Sequence, residues 1–281
     1  MSFIKIEELL YALYHFPIAI TSPFISLYYF DLSKGDYLGS GLIISIPYFF
    51  LIFSSGFFGR LSDKIGSKNL LLVSLAVFIF SFVTYFIIDR NPPVFFVAYI
   101  GFNIIISAFI PAFNRIVSFQ EANKRANAFG KLGMWASAGF LSGSFLTAFL
   151  VDYLEFRILF LIAAAFASLA FLAAIKINDN NSKIIENTND YSSIDSKSTN
   201  INNNFHSMKP IFILLLLVTL TQVTNSLYIS FFAIFIEKEL MQPRSRVALV
   251  NTLATLIGIF GTYAVGRLLE RYKKKSLILV A

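Results

Sequence analysis

The sequence has no cysteine, one tryptophan and two histidines, and only 14% of its 281 residues are charged. The absence of cysteine excludes a disulfide framework and a thiolate metal site. So little charge excludes an ordinary soluble domain, which must cover its surface with polar groups. We therefore expect no metal, no cofactor and surroundings other than water.

Apolar residues dominate instead, at 57% of the chain, and the mean hydropathy is +0.71. They form long runs such as residues 69–88, and a run of about 20 residues matches the hydrocarbon thickness of a bilayer. Strands are not expected, because open sheet edges cannot be satisfied in lipid and the runs lack the alternation of a barrel. The predicted fold class is an all-α polytopic membrane protein in a lipid bilayer.

The runs predict eight membrane spans, and residues 276–281 begin a further apolar run that is too short to cross. The predicted spans are residues 9–30, 37–58, 69–88, 94–116, 130–151, 156–175, 210–236 and 247–268. Prolines within them are compatible with helix, since neighbouring helices can satisfy the freed carbonyl groups.

The loop charges predict an orientation. Lysine and arginine concentrate in the loops that follow even-numbered spans, for example Arg60, Lys64 and Lys68 after the second. Basic loops face the cytoplasm, which predicts a cytoplasmic N-terminus in a multi-pass protein of the cell membrane. The first ten residues hold no basic cluster, so we expect no cleaved signal peptide. The same loops explain the net charge of +7, and no nucleic-acid partner is expected.

Residues 178–207 are rich in Asn, Ser, Asp and Lys and poor in apolar side chains. Such a segment cannot bury enough surface to fold alone, so we predict a disordered cytoplasmic linker. It divides the chain into a six-helix bundle (1–175), the linker (176–209) and a partial second bundle (210–281) with two spans and the start of a third.

The segment after the second predicted span reads GRLSDKIGSK. It resembles the loop after the second helix of the major facilitator superfamily, which has Gly, three residues, Asp, a basic residue, any residue, Gly and two basic positions. The matching residues are Gly59, Asp63, Lys64, Gly66 and Lys68, and Ser67 departs from the pattern. We expect Gly59 to let a helix end pack closely, Gly66 to permit a tight turn, and Asp63 to satisfy N–H groups at a helix start.

A second copy of the motif follows the eighth predicted span, where Gly266, Glu270 and Arg271 align with Gly59, Asp63 and Lys64. The superfamily is built from two related six-helix halves. The resemblance therefore implies twelve helices, a chain truncated after the eighth, and a secondary transporter that works by alternating access. It also implies that the Asp63 segment acts against the eleventh helix and the Glu270 segment against the cytoplasmic end of the fifth span.

The fifth predicted span carries Gly139 and Gly143, four residues apart. Small residues at this spacing let two helix backbones approach closely. In antiporters of the resembled family a proline follows this pair of glycines, and a second glycine pair comes later. Here Ser144, Thr147 and Ala148 stand at those positions, which speaks against an antiporter.

In the same family the first, fourth and seventh helices line a central cavity, so polar residues on them are the implied candidates for substrate contact. They are Tyr11, His15, Ser22 and Ser26 on the first span, Asn103 on the fourth, and Gln222, Asn225 and Tyr228 on the seventh. Polar side chains inside a bilayer usually face protein or water. The alternative is that they only form hydrogen bonds between helices.

Apart from tyrosines, His15 is the ionisable side chain well inside a predicted span. It is the candidate for coupling to protons, although a lone histidine more often bonds to a neighbouring helix. No Asp or Glu lies at mid-membrane depth, and no Lys or Arg there could attract an anion. The residues therefore favour a small neutral or lipophilic organic solute.

Other functions stay open. A sugar or metabolite uptake carrier of the same family would carry the same motifs, and so would a truncated membrane protein that transports nothing. A membrane-embedded enzyme would need clustered His, Asp or Glu at membrane depth, whereas the second histidine, His206, lies in the predicted linker. We therefore expect a solute carrier, of uptake or efflux type, rather than an enzyme.

Overall fold

The structure is a computed structural model that describes residues 5–88, 91–120, 125–177, 220, 228–229 and 231–272. Every regular element in these ranges is a helix, which confirms the predicted fold class for the described residues. The predicted linker lies outside them apart from its first two positions.

The helices follow one another along the chain with short connections. They are α1 (Ile6–Thr21), α2 (Ile25–Leu32), α3 (Tyr37–Ile65), α4 (Ser67–Ile87), α5 (Pro92–Ile106), α6 (Phe109–Gln120), α7 (Arg125–Leu150), α8 (Phe156–Ile175) and α9 (Arg244–Tyr272). A 3₁₀ turn, Ser22–Phe24, joins α1 to α2, and a π-helical turn, Phe235–Glu239, precedes α9.

In the described residues, five segments are long and apolar enough to cross a membrane. They are Ile6–Leu32, Ser67–Ile87, Pro92–Ser118, Ala128–Leu150 and Phe156–Ile175. A sixth is α3, whose two parts meet at 57°. These six segments coincide with the first six predicted spans, and α9 covers the eighth.

Two of the crossings are interrupted beside a proline. Pro23 lies in the 3₁₀ turn between α1 and α2. Pro111 sits in the first turn of α6, where its ring excludes the carbonyl of Ser107, four residues earlier, from an ordinary helical bond. The break between α5 and α6 falls at that carbonyl, and the Ser107 hydroxyl turns to the Ser54 hydroxyl of α3, 2.9 Å away.

The motif after the second predicted span forms the end of α3, a one-residue turn and the start of α4, which corrects the predicted boundary of the span. The second span was expected to end at residue 58, but α3 continues to Ile65, and Gly66 alone separates it from α4. The reason is physical: hydropathy marks where the lipid ends, whereas a helix can continue into water. Gly66 has φ +87°, a left-handed conformation that favours glycine, so it makes the expected tight turn.

Helix α1 is the central element of the packing. It lies against α7 and α8, α4 packs on α8, and α9 packs on α7. Aromatic side chains fill much of the core, and Phe24, Phe95, Phe109 and Phe160 are fully buried. This arrangement leaves one face of α1 toward α3, α5 and α6, where a cavity lies.

Candidate functional site

A cavity of about 350 Å³ lies between α1, α3, α4, α5 and α6. Its lining is mostly aromatic and aliphatic, with a few polar groups among them. The polar and aromatic members include His15, Thr21, Ser22, Tyr48, Ser81, Tyr85, Tyr99, Asn103, Ser107 and Phe140. A pocket of this size and character suits a small organic molecule.

A second cavity of about 390 Å³ adjoins the first on the side of α9. The two share Ile18, Ser22, Tyr48 and Phe140 as lining residues. The second adds residues from the later part of the chain, namely Tyr228, Ile229, Phe232, Asn251, Ala254 and Thr255. The shared lining residues show that the two cavities adjoin each other between the first six predicted spans and the described residues of the last two.

Two polar side chains of the first cavity are held by their own helices. The His15 ring nitrogen Nδ1 lies 2.8 Å from the Tyr11 carbonyl. Since a carbonyl only accepts, Nδ1 carries the proton, and Nε2 is the acceptor of the neutral ring. The Asn103 amide donates to the Tyr99 carbonyl at 2.8 Å, which leaves its oxygen available as an acceptor.

None of the described residues that line the two cavities is Asp, Glu, Lys or Arg. Such a site offers aromatic faces for stacking, together with hydroxyl, amide and imidazole groups for hydrogen bonds. An ion would lose its hydration there without gaining a charged partner, which is costly. The chemistry therefore suits an uncharged solute.

The structure brings together some of the predicted cavity residues and not others. His15, Ser22 and Asn103 line the first cavity, and Tyr228 lines the second. Gln222 and Asn225 lie outside the described residues. Tyr11 and Ser26 are not among the residues that line these two cavities.

Tyr11 and Ser26 pack elsewhere in the bundle. The Tyr11 ring stacks on Phe113 with 5.0 Å between ring centroids, so it joins the aromatic core. Ser26 is fully buried, and its hydroxyl has no hydrogen-bond partner among the described residues. The 3₁₀ turn at Ser22–Phe24 comes between Ser22 and Ser26 and interrupts the uniform helical spacing that had placed them on one face.

Several lining residues were missed by the sequence prediction. Tyr48 and Phe140 lie on the second and fifth spans, which the family resemblance did not single out. Asn251 and Thr255 are four residues apart on the eighth predicted span, a helical spacing that could have identified a polar face. Tyr99 precedes Asn103 by the same spacing on the fourth span.

The motif at the end of α3 has partners in other helices. We call this end of the bundle, where α3 finishes and α4 begins, the inner end. Asp63 forms an ion pair with Arg115 of α6. Lys68 donates to the Ile175 carbonyl at 2.9 Å, where a cation complements the C-terminal end of α8. Lys64 is exposed.

Two of the contacts expected for this motif are not found among the described residues. The N-cap of α4 is Gly66 and has no side-chain cap bond, so Asp63 does not satisfy the start of α4. At Gly59 a Cβ would meet no atom within 4 Å in the described part of the chain, so close packing does not require glycine there. In the second copy, Gly266, Glu270 and Arg271 lie in helix α9, and their side chains are outside the description.

Gly139 and Gly143 lie where α7 crosses α1. A methyl group at position 139 would overlap the backbone carbonyl of Ala12. At position 143 it would come within 2.9 Å of the Ala19 methyl group. Thr147 on the same helix donates its hydroxyl to the Gly143 carbonyl at 2.9 Å. The two helices thus approach backbone to backbone.

Comparison with known proteins agrees with this architecture. The chain is 30% identical over 160 residues to "Multidrug resistance protein MdtG" of Dickeya zeae (strain Ech586), covering 55% of this chain and 38% of that protein. It is 28% identical over 163 residues to the protein of the same name from Proteus mirabilis (strain HI4320), covering 56% and 40%. The matched stretch thus spans about two-fifths of the length of these curated relatives.

The fold is also similar to a solved structure. A crystal structure of the nucleoside transporter NupG superposes with a TM-score of 0.67 at 12% identity, covering 95% of this chain and 69% of that one. At this identity the likeness concerns the fold alone. The family model of the Major Facilitator Superfamily matches residues 9–281. This multi-pass membrane protein therefore belongs to the Major Facilitator Superfamily, whose members are transporters and not enzymes.

Proposed function

We propose that this protein moves a small neutral or lipophilic organic solute across the membrane by alternating access. The observation that carries the proposal is the double cavity between the first six predicted spans and the last two. Its described lining is rich in aromatic rings and carries no Asp, Glu, Lys or Arg. A transported solute would sit against Tyr48 and Phe140, which border both parts of the space.

The names of the relatives support the same substrate class. The curated proteins that match the chain are named for multidrug resistance. Drug-like compounds are mostly apolar molecules with a few hydrogen-bonding groups, which is the chemistry that this cavity complements. Efflux is the direction that these names favour.

The loop charges support a cytoplasmic N-terminus. If transport is coupled to protons, His15 is the group to carry them, because it lies in the cavity wall and imidazole changes charge near neutral pH. Its Nδ1 is occupied by the Tyr11 carbonyl, so the proton would be taken up at Nε2.

The test measures flux through the 281-residue chain reconstituted in liposomes. Three aromatic probes of matched size are compared: a neutral amide, a carboxylate and an ammonium compound. We expect saturable flux of the neutral probe above that of protein-free liposomes, and much weaker flux of the carboxylate. Preferential flux of the carboxylate, or flux equal to that of empty liposomes for all three, would overturn the proposal.

A matched pair of variants tests the cavity. Asn103→Leu removes an acceptor from the cavity wall, so we expect KM for the amide probe to rise about threefold to tenfold, the typical effect of one lost hydrogen bond. Asn69→Leu is the control, because Asn69 also donates its amide to the carbonyl four residues earlier, Ile65 at 2.8 Å, but at an exposed position outside the cavity. Equal KM changes in both variants would contradict the site.

A further inference from the structure

Charged side chains cluster at the end of the bundle opposite the inner end. We call it the outer end: it is where α2 finishes and α9 begins, and the loop charges predict that it is extracytoplasmic. Asp31 lies near the end of α2, Glu237 and Lys238 in the π-helical turn, and Arg244 at the first position of α9. The cluster joins residues more than 200 positions apart in the sequence.

Each carboxylate of the cluster is held by both cations. Arg244 places Nε 2.7 Å and Nη2 3.2 Å from the two Glu237 oxygens, and the same Nη2 lies 2.8 Å from Asp31. Lys238 lies 2.7 Å from the other Asp31 oxygen and 3.1 Å from Glu237. Both oxygens of Asp31 are therefore bound by cations from the later part of the chain.

Partial burial distinguishes this cluster from an ordinary surface ion pair. The Glu237 side chain is only 18% exposed, and Arg244 is 29% exposed. Isolated exposed pairs contribute little because water screens them. A two-pronged arginine contact inside a network of four charges is held more firmly, and it fixes geometry as well as charge.

A second contact ties α9 to the first six spans nearby. The backbone N–H of Ser245 donates to an Asp152 oxygen at 3.0 Å, just past the end of α7. The N–H groups in the first turn of a helix lack intrahelical acceptors, and an anion there also complements the helix dipole. Asp152 therefore supplies to α9 a cap from another part of the chain.

The cluster lies on segments that also line the cavity. Ser22, which lines both cavities, precedes Asp31 by nine positions, and Tyr228 precedes Glu237 by nine. At the helical rise this is roughly 14 Å. The segments that surround the cavity thus converge on the cluster. Opening the cavity toward the outer end requires α2 to separate from the start of α9.

The inner end has a different kind of ion pair. Asp63 and Arg115 belong to α3 and α6, both within the first six predicted spans. That pair can stay intact while the two parts of the molecule move apart. The outer cluster cannot, because it bridges them.

We propose that Asp31, Glu237, Lys238 and Arg244 form an outer latch, with Asp152 as its second hold on α9. The latch keeps the cavity closed toward the outer end and breaks each time the cavity opens there. The proposal rests on transport by alternating access. It assigns the closure of the cavity toward the outer end to these residues.

The experiment uses the absence of cysteine from the chain. A single Ser22→Cys reports access to the cavity, and a single Met241→Cys identifies the side of the membrane that bears the latch, because Met241 is 81% exposed at its edge. A membrane-impermeant maleimide is applied to sealed vesicles of each orientation. We expect Arg244→Gln to raise the labelling rate at position 22 from the Met241 side by about tenfold, the effect of losing hydrogen bonds to charged groups.

Two further variants make the result specific. Asp31→Asn should give a similar rise, and the double variant should add little, because both changes break the same contact. Arg246→Gln, an exposed arginine two residues along α9, should leave labelling unchanged. An unchanged rate in Arg244→Gln, multiplicative effects in the double variant, or a rise from both faces would each overturn the latch.

Flux of the neutral probe is measured in parallel. If the unaltered chain carries the probe and Arg244→Gln leaves labelling unchanged, the latch fails and the transport proposal stands. If labelling responds to the latch but no probe is carried, the transport proposal fails while the structural device is retained.

Discussion

At the residue scale, Asp63 and Lys68 of the family motif contact residues outside the motif, and the motif pattern does not identify those residues. Asp63 pairs with Arg115 on α6, although a role at a helix start was expected. Lys68 donates a hydrogen bond to the Ile175 carbonyl at the C-terminal end of α8. Each residue therefore ties the α3–α4 turn to another helix of the first six spans, and the turn itself is made by Gly66.

The Asp63 pair predicts a transport defect without a folding defect. Asp63 is 60% exposed, so Asp63→Asn should leave membrane insertion and detergent stability near normal. We expect the transport rate to fall by about fivefold or more, if the pair helps to set the balance between two conformations. The rate is measured in reconstituted liposomes, and insertion by size-exclusion chromatography of the detergent-solubilised protein.

The control for this variant is Glu155→Gln, the same change of carboxylate to amide at an exposed position where the side chain makes no cap bond. Transport at the normal rate in Asp63→Asn would remove the conformational role.

At the scale of elements, α1 and α7 cross with their backbones in close contact, which the glycines of α7 permit. Small residues at helix crossings are the usual means of packing in lipid, where apolar burial between helices gains little over contact with lipid. Gly139 faces the Ala12 backbone, and Gly143 faces Phe16 and Ala19. Since α1 also forms the cavity wall at His15 and Ser22, this crossing positions the site.

Two alanine substitutions on α7 should differ in their effect on the free energy of unfolding. Gly139→Ala forces α1 and α7 apart, so we expect it to lower the free energy of unfolding by about 1–3 kcal/mol. Gly133→Ala meets no atom within 4 Å in the described part of the chain, so it should be neutral or stabilise by up to about 1 kcal/mol through helix propensity. Denaturation in detergent measures both. Equal effects would show that the crossing is looser than the structure indicates.

At the scale of the whole molecule, the outer end and the inner end of the bundle differ in their ion pairs. The outer latch bridges the two parts of the chain, whereas the inner pair stays within one of them. Glu237 and Lys238 lie just beyond the predicted seventh span. Burial alone would raise the pKa of Glu237, but hydrogen bonds and charge from Arg244 and Lys238 lower it below the ordinary carboxyl value. For Lys238, burial opposes the charge, yet Asp31 and Glu237 raise its pKa.

These shifts predict that the latch is insensitive to pH near neutrality. A carboxyl group with a lowered pKa, such as Glu237, stabilises the latch at every pH above its ordinary pKa. This stabilisation is lost only when the pH falls through the lowered pKa. A lysine with a raised pKa, such as Lys238, stabilises the latch at every pH below its ordinary pKa. This stabilisation is lost only when the pH rises through the raised pKa. Asp31, Asp152, Glu237, Lys238 and Arg244 face one another, and within this group Glu237 and Lys238 thus stay charged across the neutral range.

Spin labels at Tyr153→Cys and Met241→Cys, both highly exposed, measure the outer end by pulsed electron resonance. We expect one distance distribution between about pH 6 and 8 and a broader one only below the carboxylate range. Any pH dependence of transport should then disappear in His15→Gln, because His15 is the histidine that lines the cavity. A distance change near neutrality would contradict the latch as described.

Much of the architecture could be predicted from the residues. Apolar runs gave the first six crossings, because only a helix of about 20 apolar residues satisfies its backbone in lipid. The family followed from Gly59 to Lys68 and the second copy at Gly266, and the match over residues 9–281 confirms it. The end of α3 was misplaced because hydropathy reports the lipid boundary and not the helix boundary.

The cavity could be predicted only in part. His15, Ser22 and Asn103 line it, but Ser26 does not, because a turn at Pro23 changes the helical face, and Tyr11 stacks on Phe113 instead. Tyr48 and Phe140 had no signal to separate them from the many aromatic residues that face lipid. In a membrane both faces of a helix are apolar, so periodicity does not tell the protein side from the lipid side.

The sequence by itself therefore determined the membrane-spanning helices, their charged loops and the family, since these depend on local composition and short motifs. Only the tertiary structure decided which polar residues meet in the cavity, that Asp63 pairs with Arg115, and that Arg244 reaches Asp31 across 213 positions. Such pairings depend on how helices pack against one another, and no local pattern along the chain specifies that geometry.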